Sequence, residues 1–288
     1  MSPFTIKKPL QKIKIIAIGI GPNSVIIIEQ IRKKNSYGIE TIVVKELPRC
    51  VDEMRETLKD ADLVFFTMMS NDLTKVLLSS ILEIIDWTEA QTIFIMPKSF
   101  SFENKEQHKI SKIRLSELEE KCDAILTPSI NLLQRPIRAQ TIIKTLSDIT
   151  VQIIEVICSV VVSIGKNDIT LDLNNLRVVL KGLSVVGTGE CVGEKSAFKA
   201  MTIAMNGPSF NDMTMLGSNG ILVRFYMHPS FPIMELNDAM DVIENVVHED
   251  TNIVFGTTTD ETLPLGFMNV VVIASLFKEE FQAVNNLK

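Results

Sequence analysis

Between residues 13 and 127 the chain alternates, and that alternation restricts the fold more than any other feature: short apolar, β-branched-rich runs recur, separated by segments with helical apolar spacing. The runs at 13–18, 40–45, 62–68, 91–96 and 122–127 read as strands, and 23–34, 51–59, 72–85 and 104–120 as helices. Strands apolar at nearly every position are buried on both faces, the condition of a parallel sheet covered by helices. The expectation is an α/β architecture whose doubly wound, parallel-sheet domain of nucleotide-binding type occupies 12–136.

Residues 137–165 follow as one long central helix, because the length of this glycine-free stretch outweighs its β-branched content. A second, smaller α/β domain is expected over 166–288. In it "NLRVVLKGLSVVGTGECVG" reads as a strand entering glycine-rich turns, followed by a helix (194–206), a strand (220–227), a helix (235–249) and strands at 252–257 and 269–276.

The 288 residues are 46% hydrophobic with a formal net charge of −6, which suits soluble globular domains and excludes a basic nucleic-acid-binding surface. Cys50, Cys122, Cys158 and Cys191 form no C-x-x-C pair and no metal-ligand spacing, so neither a metal nor a disulfide framework is expected and a reduced, cytoplasmic setting is. The apolar stretch 151–165 is interrupted by Gln152 and Glu155 and falls short of the ~20 residues of a membrane span. The lysines Lys7, Lys8, Lys12 and Lys14 read as solubilising charge, since Pro9 breaks any amphipathic helix there. The six carboxylates of "ELNDAMDVIENVVHED" read as a solvated helix face. His108, His228 and His248 have no neighbouring nucleophile and receive no catalytic role.

Two strand-to-helix junctions invite a functional reading, because a helix N-terminus beyond a parallel strand is where such folds hold phosphate. In "IGIGPNSVIIIEQI" Gly19 and Gly21 permit a sharp turn and Asn23 stands at the N-cap position. A dinucleotide fingerprint would need a third glycine where Val25 and Ile26 stand, although Glu46 follows the second strand. The second junction, "MMSNDLTKVLL", contains no glycine.

The blocks "KSFSFENKEQ", "LEEKCDAILTPSINLL", "DITLDLNNLRVVLKGLSVVGTGECVGEKSAFKAM", "NGILVRFYM" and "DTNIVFGTTTDE" resemble, in order, those of FtsZ, the bacterial tubulin-like division protein. The most specific is "GTGECVGEKSAFKAM", similar to the family's G-x-G-x-A-x-G-E-x-R-A-x-x-A, with Cys191 for the first alanine and Ser196 for the arginine. The resemblance implies a nucleotide-binding domain, a long central helix, and a C-terminal domain that meets the next subunit in a filament.

Against that family pattern, "NDLTKVL" lies where the glycine-rich tubulin signature GGGTGTG stands, and Thr74 alone is kept. Those glycines let backbone N–H groups crowd a phosphate with no β-carbon in the way. Asp72 would repel phosphate, Leu73 would fill its space, and Lys75 is the one compensating charge; Asn71 or Asp72 is expected to cap the helix instead. Pro22 removes a donor from the first loop. Glu103 matches a ribose-contacting glutamate, Gln107 replaces a basic residue, and Asp148 alone represents the Asn-Asp pair that the family sets against guanine.

The family's N-x-D-x-x-D loop, which reaches into the neighbour's site and polarises the attacking water, corresponds to Thr170, Asp172 and Asn175. An amide at Asn175 orients water but accepts no proton. These departures imply an FtsZ-like cytoskeletal or scaffold protein, a pseudo-GTPase with no catalytic residues, no bound cofactor and no metal. It would self-associate or engage authentic FtsZ, and would neither bind nucleic acid nor insert into membrane. The alternative is a divergent GTPase that binds GTP and GDP.

Overall fold

The computed structural model describes residues 13–44, 51–69, 74–97, 115–128, 142–162, 168–207, 210 and 217–276. The N-terminal half comprises β1 (Ile15–Ile20), α1 (Ser24–Lys34), β2 (Glu40–Val44), α2 (Val51–Leu58), β3 (Leu63–Thr67), α3 (Lys75–Ile85), β4 (Gln91–Ile95), a short helical segment α4 (115–119) and β5 (Ala124–Leu126). The central helix α5 spans Ile142–Val161. Beyond it come α6 (Leu173–Val179), β6 (Gly182–Val192), α7 (Ser196–Met205), β7 (Ser218–Met227), α8 (Glu235–Glu244), β8 (Asn252–Thr259) and β9 (Phe267–Leu276).

The strands form one nine-stranded sheet in the order β2-β1-β3-β4-β5-β6-β9-β7-β8. It does not stop between the halves: β5 and β6 pair in parallel, Ala124 opposite Gly182. Only β9 runs antiparallel, to both β6 and β7. The N-terminal half is doubly wound as expected. Ile27, Ile28 and Ile31 of α1 join the core that holds α5, whereas Met54 and Leu58 of α2 and Leu78, Ile81 and Ile84 of α3 pack on the other face.

α5 is a helix despite its β-branched residues because its tertiary environment rewards helical spacing over local propensity. Ile149, Ile153, Ile157 and Val160 are buried in one cluster with side chains of β1, β3, β4 and β5 and with Val186, Leu222 and Ile273 of the C-terminal strands. Each such burial contributes about 1.5–3 kcal/mol. Its internal hydroxyls bond within the helix, Thr150 to the Leu146 carbonyl and Ser159 to that of Val156.

The start of "NLRVVLKGLSVV" departs from expectation, since 173–179 is helix α6 and the strand begins only at Gly182. Asp172 caps the helix, and Leu176, Val179 and Leu180 are buried at helical spacing while Val178 is exposed. The cap and the i, i+3, i+4 burial decide against the β-branched pair Val178-Val179. α8 likewise ends at Glu244, five residues before the expected end. On the face opposite α5, α7 lies so close to β6 that a β-carbon on Gly189 would fall on the Ala200 carbonyl.

Arg224 of β7 projects to the α5 side. Its guanidinium lies 4.5 Å from the Tyr226 ring centroid and donates to Asn269 Oδ1 at 3.1 Å. Burial lowers its pKa to about 10, opposed by Tyr37, Tyr226, Glu155 and Asp168. Burial and the hydrogen bond to Asp260 push the Tyr226 phenol up to about 12. The hydroxyl of Tyr226 donates to Asp260 Oδ2 at 2.5 Å, and Thr262 donates through N and Oγ1 to Asp260 Oδ1.

Two outcomes follow. Gly189→Ala should destabilise the protein by about 3 kcal/mol or more in urea unfolding, since α7 must move off the sheet. Asp260 has its pKa lowered, chiefly by the donors on Thr262 and Tyr226. Its contribution is therefore full above the ordinary value of 3.8 and is lost as pH falls through the lower folded value. Asp260→Asn should be less stable than the parent at pH 7, and the gap should close toward pH ~2.

Candidate functional site

In an open sheet of this order, ligands sit beyond the carboxyl ends of the strands where neighbouring connections diverge, here beyond β1 and β3. β1 and β3 are adjacent, with Gly19 opposite Thr67, so the turns that follow them are neighbours. Gly19 is needed for packing, because a β-carbon there would lie 2.6 Å from Ile28 Cγ1. Gly21 has φ +83°, open to glycine and strained for other residues, and its N–H donates to the Val44 carbonyl at 3.2 Å. Ser24, fully buried, donates to the Gly21 carbonyl at 2.7 Å. Asn23 occupies the N-cap position, yet its side chain makes no capping hydrogen bond because its own backbone is already helical. Ser24, absent from the sequence expectation, thus ties the turn together.

The second junction places its cap differently from expectation. α3 starts at Lys75, not at 72, and Thr74 Oγ1 accepts from the Leu77 N–H at 3.2 Å. Thr74 has the extended backbone (ψ 164°) that a cap requires, and the cap falls on the residue in that conformation rather than on Asn71 or Asp72. Asn71, Asp72, Glu103, Gln107 and Glu46 lie outside the described residues, as does the side chain of Lys75.

Asp148 is on the first half of α5, and its Oδ1 accepts from Gln30 Nε2 of α1 at 2.8 Å. One turn or two further on, Lys34 Nζ and Glu155 Oε2 pair at 2.9 Å. The two helices therefore run in the same direction, and a groove of about 330 Å³ lies between them, lined by Gln30, Lys33, Thr145, Asp148 and Gln152 among others. Gln30 was not singled out from the sequence; it stands seven residues after Asn23, two helical turns along the α1 face that meets α5.

Thr170, Asp172 and Asn175 belong to the opposite edge of the sheet. α6 precedes β6, whose first residue pairs with the first residue of β5, and Arg177 donates to the Glu89 carbonyl just before β4. Asp172 Oδ1 accepts from the backbone N–H of Asn175 at 2.8 Å and so caps α6. The segment before it is strapped to β8, with Ile169 and Thr257 exchanging hydrogen bonds of 2.8 and 2.9 Å. Among the described residues no cluster of His, Cys, Asp and Glu could hold a metal, and no helix is long and apolar enough to cross a membrane.

A nine-stranded mixed sheet with a long central helix packed on it is the α/β fold of solved FtsZ-like structures. The solved structures agree. An empty FtsZ dimer from M. jannaschii superposes with a TM-score of 0.79 at 17% identity, covering 94% of this chain and 90% of that one. CetZ2 from Haloferax volcanii, a GTPγS-bound protofilament, gives 0.71 at 12% identity over 95% and 97%.

Residues 182–278 match the model of the FtsZ family C-terminal domain. The cell division protein FtsZ of Helicobacter pylori strain J99 is 30% identical over 245 residues, which is 83% of this chain. The match spans 63% of that relative's length. The chain is an FtsZ-like protein.

Removing the α3 cap isolates its contribution. Thr74→Ala should cost about 1 kcal/mol of stability, and Thr74→Ser should restore most of it, measured by denaturant unfolding.

Proposed function

We propose that the chain is a cytoplasmic, FtsZ-like cytoskeletal or scaffold protein that has given up GTP binding and hydrolysis. It self-associates, or joins and modulates filaments of authentic FtsZ, in cell division or membrane remodelling. The observation that carries the reading is the role of Thr74. It is the one residue kept from the glycine-rich signature, and its hydroxyl accepts from the Leu77 backbone N–H of its own helix as an N-cap.

Two further pairings support it. The carboxylate aligned with base recognition, Asp148, accepts from Gln30. The acid kept in the loop aligned with the neighbour's site, Asp172, caps α6, and its companion Asn175 is an amide. A carboxylate already accepting a structural hydrogen bond has one acceptor position fewer for a base or a water. No catalytic residue, cofactor or metal is assigned.

A second reading, a divergent GTPase, is favoured by one feature. The β1–α1 turn keeps Gly21 in a left-handed conformation beside the junction leading to α3. On that reading Gly19, Gly21, Asn23, Thr74 and Lys75 hold GTP, and Asp172 assists hydrolysis in the next subunit.

Calorimetric titration of the nucleotide-free full chain with GTP and GDP in magnesium separates the two. The scaffold reading expects no heat at millimolar ligand and no phosphate release at any protein concentration. Micromolar binding, with turnover that rises with protein concentration and falls in Asp172→Ala, would overturn it.

A further inference from the structure

We draw no further inference here: the strongest candidate, the side-chain cluster on the α5-facing side of β7 and β8, where Arg224 Nε and Thr258 Oγ1 both lack a hydrogen-bond partner among the described residues, carries nothing because both atoms are shut off from solvent and nothing in the structure shows what would reach them.

Discussion

The burial of α5 is the interaction on which the rest of the molecule depends. One cluster of apolar side chains holds this helix against β1, β3, β4 and β5 and against β6, β7 and β9. Neither half buries its sheet face without it. The helix also aligns what surrounds it: its amino-terminal half positions Asp148 beside α1, its middle carries Glu155 near Arg224, and its end leads to the strap along β8. A helix that touches so many elements transmits any change in its packing to both edges of the sheet, because close-packed interiors respond as units.

Both aligned sites share a physical pattern. At each, the polar group that the family resemblance connects with nucleotide chemistry is engaged in local structure: Thr74 with α3, Asp172 with α6, and Asp148 with Gln30. Capping hydrogen bonds of this kind are worth about 1 kcal/mol each. That is enough to hold the side chain away from a weak ligand, and a tight ligand able to supply more would displace it. The proposed function thus rests on competition between local capping and ligand contact, and affinity is the quantity that decides it.

The C-terminal half carries a different polar arrangement. Arg224 is stacked on Tyr226 within the interface between sheet and α5, and Tyr226 in turn anchors the β8–β9 turn through Asp260. A buried cation balanced by dispersed partners is poor evidence for added stability, since its desolvation is costly. Its consequence is geometric: the turn at 260–266 is tied to the centre of the molecule.

The sequence by itself determined the α/β class, the winding of the first five strands, the central helix and the loss of glycine from the second junction. Each is written in local periodicity or in the identity of residues in one short stretch. Only the tertiary structure decided that 173–179 is a helix, that Thr74 rather than Asn71 or Asp72 caps α3, and that Gln30 takes Asp148. The first depends on which residues find a core, the second on the backbone conformation at one position, and the third on two helices distant in sequence running side by side.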